Sequence, residues 1–171
     1  TLTLAEKEFT DDDNLDLPQF MAEMKACKGR VGSAAPSPGS YADAFKGANA
    51  FAVTLSSSLS GSYASAMSGK SIAEETGANV HVFDSRSAAA AEVLIVMKIR
   101  KLIHEGLQKP EIITRVENFI NEMRTFFVLD NIDNLLKNGR LNRITATIIS
   151  TLHIRPIMGA DGDGNISLVS H

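Results

Sequence analysis

Two short apolar segments, each followed by a polar loop and then a helix-length run, constrain this chain more than any other feature. Asn49–Thr54 reads as a buried strand and leads through Ser56-Ser57-Ser58-Leu59-Ser60-Gly61-Ser62-Tyr63 into a helix ending near Gly77. Residues 80–83 read as another strand, followed by Asp84-Ser85-Arg86-Ser87 and a helix over 88–104. Short apolar strands joined by crossover helices are the pattern of a parallel α/β sheet, whose ligands collect at the carboxyl ends of its strands. The 171 residues are 44% hydrophobic and 22% charged, which suits a folded domain with a substantial core.

The remaining elements are read from spacing. Residues 1–9 alternate weakly and suggest a short strand or hairpin arm, and Asp11 to Asn14 form a polar turn. Pro18 opens a helix over 18–28, with Phe20, Met21, Met24 and Cys27 at helical spacing, and Gly29 is expected to close it in a left-handed conformation. The stretch 30–40 reads as a turn-rich loop before a helix over 41–46. Further on, 111–123 reads as an amphipathic helix, 125–129 as a third strand, and Asp130-Asn131 as the start of a short helix through Leu136. Residues 145–151 read as helix, and 153–158 and 166–169 as strands flanking the turn at Asp161-Gly-Asp-Gly-Asn165.

Composition removes several classes of function. With 17 Lys+Arg against 20 Asp+Glu, the formal charge is −3, and the basic residues form no stripe for a nucleic-acid backbone. One cysteine allows no internal disulfide, and its bland reading is a small buried hydrophobe. No apolar run reaches the length of a membrane span, and 1–14 lack the layout of a secretion signal, so a cytoplasmic location is expected. Phosphate-loop, dinucleotide-loop and nucleophile-elbow motifs are missing. The Asp161–Asn165 segment lacks the glycine that a calcium loop needs at its sixth place and reads as a hairpin turn. No metal or cofactor is expected.

Candidate chemistry lies in the loops. The serine cluster after 49–54 offers hydroxyls and helix-start amides to a carboxylate or phosphate, while the same serines also serve as helix caps. Ser33 or Ser37 is placed to donate a hydrogen bond near the next helix start, or simply to make a rigid turn. Asp84 is read as a cap with Arg86 as its partner. Arg140, after Gly139, either ties down neighbouring carbonyls or neutralises an anion. His81, His104 and His153 are dispersed and read as structural or exposed.

Taken together, Ser33-Ala-Ala-Pro-Ser-Pro38, the serine cluster, Asp84-Ser85, Gly139-Arg140-Leu141 and Ile154-Arg-Pro-Ile157 resemble the DegV family of bacterial fatty-acid-binding proteins. The resemblance implies a three-layer, parallel-sheet α/β domain over residues 1–152, with strands in 153–171 leading toward a truncated second domain. It implies a non-catalytic carrier that encloses a long-chain fatty acid and presents its carboxylate to a fatty acid kinase for acyl phosphate formation, without a cofactor of its own. By the same resemblance Ser33 matches the hydroxyl residue that opens the family's Thr-Ser-Gln-Pro-Ser-Pro turn. Ser57, Ser60 and Gly61 fall in the serine-rich carboxylate loop, and Arg140 matches the arginine of a Gly-Gly-Arg segment. Here Ala34 and Ala35 replace Ser-Gln, and Asn138 replaces the first of the two glycines. Both ends of the family pattern are missing, so a family histidine farther along does not correspond to His171. The residues alone leave two other readings open: a small-molecule enzyme that recognises phosphate or carboxylate through the serine loop, and an interaction module, with self-association possible.

Overall fold

A computed structural model describes residues 1–129, 135, 139–140 and 157–170, although the burial of residue 170 is not among the described properties. The chain divides into two compact units, Thr1–Pro36 and Ser37–His171. The expected division near residue 152, the helix over 145–151 and most of the segment 130–138 lie outside the described residues.

In the first unit, β1 (Leu2–Leu4) pairs antiparallel with both β2 (Lys7–Phe9) and β3 (Val31–Ser33), and α1 (Leu17–Ala26) lies between β2 and β3 in the chain. The side chain of Asp16 accepts from the Gln19 amide at 3.0 Å, and Pro18 occupies the first turn, where its missing N–H costs nothing. Leu4 and Phe20 are buried, and Phe20 meets Phe9 edge-on with ring centres 5.1 Å apart. Two local expectations fail here. Residues 31–33, read as loop, form β3 because β1 supplies a partner that only tertiary structure reveals. Helix α1 ends at Cys27 in an extended conformation, and Gly29 is not among the residues of positive φ. The constraint on Gly29 is instead close packing, since a Cβ there would lie 2.9 Å from Ala5 Cβ.

The second unit contains the anticipated α/β pattern. β4 (Asn49–Thr54) and β5 (Asn79–Asp84) pair in parallel through six matched positions. Alternation along them separates two cores. Val80, Val82 and Ala52 join Phe45 of α2 (Pro38–Phe45) and Ala66 and Ala73 of α3 (Ser62–Glu74). Phe83, Phe51 and Val53 join Ile95, Ile99 and Leu102 of α4 (Ala90–His104) and Ile112, Val116 and Ile120 of α5 (Lys109–Glu122). Helices therefore cover both faces of the parallel pair, which gives three layers. Helix α2 begins earlier than its spacing suggested because Ser37 caps it, accepting from the Ser40 amide at 3.1 Å, with Pro38 in the first turn. Small residues on α3 let α2 approach closely, and Gly69 faces Tyr41 and the backbone of Pro38 and Ala42.

At the amino ends of these strands, Lys109 Nζ donates to Asn49 Oδ1 at 3.1 Å, to the Ala50 carbonyl at 3.2 Å and to the Asn79 carbonyl. It also sits 5.1 Å from the centre of the Phe51 ring. One lysine thus ties the start of α5 to both strands. On β5, the Nε2 atom of His81 is buried and without a hydrogen bond, its nearest acidic neighbour being Glu117 Oε1 at 4.0 Å. That distance is too long for a hydrogen bond. Burial, reinforced by the positive charges of Lys70 and Lys109, holds the His81 pKa below its ordinary 6.5. Because the unfolded chain binds this proton more readily, the stabilisation from neutral His81 is complete above pH 6.5 and is lost as pH falls through that value toward the lower folded pKa. We expect His81→Phe to flatten this part of the stability-versus-pH curve in urea titrations, and an unchanged slope would refute the assignment.

β6 (Phe126–Val128) falls within the third strand expected over 125–129. It pairs antiparallel with β7 (Ile157–Ala160), which pairs in turn with β8 (Ile166–Ser170) around a bulge at Ile157 and Met158. Its β-branched and aromatic residues specify a strand but not its neighbour. Buried Met158 anchors this sheet, with Phe127, Leu129, Leu135, Ile166 and Leu168 packed around it.

Candidate functional site

The loops after β4 and β5 lie side by side because their strands are parallel neighbours, and hydrogen bonds fuse them. The Ser85 amide donates to the Thr54 carbonyl at 3.1 Å, and the Ser56 amide donates to the Ser87 carbonyl at 2.7 Å. Asp84 Oδ1 accepts from the Ser57 amide at 3.1 Å and from the Arg86 amide at 2.9 Å. Asp84 is therefore a loop organiser. Arg86 meets it through the backbone, whereas its guanidinium donates to Asn121 Oδ1 at 2.8 Å, so the expected side-chain pair is not what forms.

A third element completes the platform. The hairpin turn between β7 and β8 is held by Asp161, whose carboxylate accepts from the amides of Asp163 and Asn165 at 2.9 Å. Those bonds, foremost the one from Asn165, keep its carboxyl below the usual carboxylate range. The turn then receives two serines: Ser56 Oγ donates to the Gly164 carbonyl at 2.9 Å, and Ser58 Oγ to the Asp163 carbonyl at 2.8 Å. Gly164 has a φ of 79° and presses against Ser56 and Arg86, leaving no room for a Cβ.

The sequence-predicted residues occupy distinct positions around this platform. Ser57 is exposed at its rim. Ser60 accepts from the Ser62 amide at 3.2 Å, and its hydroxyl lies 3.0 Å from that of Ser62. Gly61 is the cap residue of α3. Arg140 reaches this loop from a distant part of the chain, donating from Nε to the Leu59 carbonyl at 3.0 Å. Ser57, Ser60, Gly61 and Arg140 therefore belong to one loop system. Ser33 belongs to the first unit, exposed at the end of β3 and paired in register with Leu2.

Beside Leu59 opens an apolar cavity of about 410 Å³. The alanines at 88–91 line it together with Leu94, Phe126, Phe127, Gly159 and Ile166, and their small side chains leave the space open. Its volume falls in the range of small-molecule sites, roughly 300 to 1,000 Å³. On the far side of Ser87 and Thr125, whose hydroxyls are 2.6 Å apart, lies a second and more polar cleft of about 500 Å³. Sequence reasoning missed Ser56, Ser87 and Gly164. Ser56 is fully buried and serves as the latch between loops, a role set by a partner 108 residues away.

Residues 1–170 match the family described as "Uncharacterised protein, DegV family". The chain belongs to the DegV family. A DegV domain-containing protein of Streptococcus pneumoniae strain R6 is 38% identical over 172 residues, covering 99% of this chain and 61% of the relative. Among solved structures, the Streptococcus pneumoniae Fatty Acid Kinase (Fak) B3 protein loaded with linoleic acid superposes with a TM-score of 0.91 at 37% identity, over 99% of this chain and 61% of that one. A DegV family protein of Ruminococcus gnavus, refined with vaccenic acid, gives 0.88 at 35% identity with the same coverage. The DegV chain described here thus spans about three fifths of the length of these relatives. Among its described residues no helix is long and apolar enough to cross a membrane.

Proposed function

We propose that this chain supplies the acyl-binding and carboxylate-binding part of a non-catalytic fatty acid carrier that presents its cargo to a fatty acid kinase. The observation that carries the reading is the apolar cavity opening beside Leu59, at the foot of a serine loop which begins a helix. An acyl chain gains about 0.8 kcal/mol for each methylene it buries. Hydroxyls and amides at the start of α3 suit a carboxylate, and Arg140 brings a positive charge to the same loop. Ser57, Ser60 and Gly61 are the proposed contacts. The linoleic and vaccenic acids of the two solved relatives support a long-chain fatty acid as the ligand class. In this reading residues 1–152 form the first α/β region, and the strands from 153 onward open a second.

Among the described residues, nothing in the loop system resembles an activated nucleophile. Each serine hydroxyl whose bonding is described meets a carbonyl or another hydroxyl, and none of these bonds brings a histidine or carboxylate to it as a base. In this reading the bound acid is passed on unchanged by this chain, and phosphoryl transfer falls to the kinase. Native mass spectrometry on gently purified protein, with extraction of the released ligand, tests the reading. A single long-chain fatty acid per chain is expected, either carried through purification or taken up saturably on addition. Failure of both to appear would overturn it.

A further inference from the structure

The polar cleft behind Ser87 and Thr125 has no part in the acyl reading, yet it is built around two arginines. Arg86, Ser87, Asn121, Arg124, Thr125 and Asp161 line it. Among the described residues neither arginine forms an ion pair. Arg86 donates to the neutral Asn121 amide oxygen, and Arg124 Nη1 donates to the carbonyls of Asn121 and Met123 at 3.0 and 2.9 Å. The one carboxylate in the lining, Asp161, is turned to the backbone amides of its own hairpin. Two arginines thus line a space of about 500 Å³ with no described acidic partner for either charge.

The backbone supplies a second, independent observation. Arg86 has a φ of 49°, a conformation that glycine adopts freely and that costs other residues about 1–2 kcal/mol. Three contacts hold it there: its amide bonds Asp84, its guanidinium bonds Asn121, and Gly164 packs on its Cα. Strain of this kind is kept where the surroundings over-determine it, and functional sites are where it clusters.

We infer that this cleft is an oxyanion site of the phosphate class, formed by the guanidinium groups of Arg86 and Arg124, with the hydrogen-bonded Ser87–Thr125 hydroxyl pair supplying one further O–H donor. Guanidinium suits such a ligand because its planar fork can engage two oxygens at once. The phosphate can be free or can be the headgroup of an amphiphile, since Ser87, Arg124 and Thr125 also border the apolar cavity. The site does not depend on the acyl reading, because a free oxyanion brings no chain.

Titration with inorganic phosphate and, separately, with dodecyl phosphate below its micelle-forming concentration tests the inference, read by calorimetry and phosphorus NMR line broadening. Saturable binding is expected, weakened at least about tenfold in the R86Q/R124Q double variant, a loss of roughly 1.4 kcal/mol. Arg100→Gln, on exposed α4 surface, is expected to bind like the parent. Saturation by both probes assigns a free-phosphate site, and saturation by dodecyl phosphate alone assigns a lipid headgroup. Absence of binding by either, or undiminished binding in the double variant, overturns the inference. Should the double variant fail to fold, Arg86→Gly removes one guanidinium while suiting the positive φ, and a phosphate affinity equal to the parent's would be equally fatal.

Discussion

Gly164→Val is expected to unlatch the candidate site and to lower stability by roughly 2–5 kcal/mol. Gly164 has a φ of 79°, which alone costs a side chain about 1–2 kcal/mol. A Cβ there would overlap Ser56 Oγ and lie 2.8 Å from Arg86 Cα, so the turn must withdraw from both loops. Withdrawal breaks the bond from Ser56 Oγ to the Gly164 carbonyl, and a buried hydroxyl left without a partner costs about 1–3 kcal/mol more. Urea unfolding would report the stability loss, and fatty acid uptake by native mass spectrometry would fall with it. Gly162→Val is the control, because nothing lies within 4 Å of a Cβ at that turn position. Equal behaviour of the two variants would mean that the docked turn does not support the serine loop.

Gly69→Val should be comparably damaging for a different reason. The helix conformation at this position suits valine well enough, but a Cβ would lie 2.5 Å from Tyr41 Cβ, 2.7 Å from the Pro38 carbonyl oxygen and 2.9 Å from the Ala42 amide nitrogen. Two of these neighbours are backbone, so no change of rotamer relieves the clash, and α2 must move away from α3. Overpacking of this kind costs about 1–3 kcal/mol, and the valine methyls place the result near the upper end. At roughly 2–4 °C per kcal/mol for a chain of this size, the melting temperature should drop by about 6–12 °C. A shift under about 2 °C would show that the two helices tolerate separation.

Much of this architecture is legible in the residues. β4 appears over Asn49–Thr54 as its apolar run suggests, and the loops after β4 and β5 are neighbours because the parallel pattern requires it. The grouping of Ser57, Ser60 and Gly61 follows from sequence proximity. What the residues conceal are choices of partner. The segment 31–33 carries glycine and serine, and it becomes a strand only because β1 is there to receive it. β6 has strand composition, but its pairing with β7 is set by a segment some thirty residues further on. The Asp161–Asn165 turn reads as a hairpin, since Asp and Gly favour such geometry, yet its docking onto Ser56 and Ser58 leaves no local trace. Positive φ at Arg86 is hidden for the same reason, because arginine gives no local hint of a conformation that its neighbours impose.

The latch between Ser56 and Gly164 also orders events in time. Its two ends are 108 residues apart, so a growing chain carries the finished β4 segment and its serines long before the residue that secures them has been made. Closing so long a loop costs entropy that only the completed hairpin can offset. The strands β4 and β5 have no such delay, being joined by one crossover helix, and contacts of short range form fastest. Synthesis therefore delivers the scaffold of the binding loop first and its fastening last, and until residue 164 emerges the serines belong to a loop without its clasp.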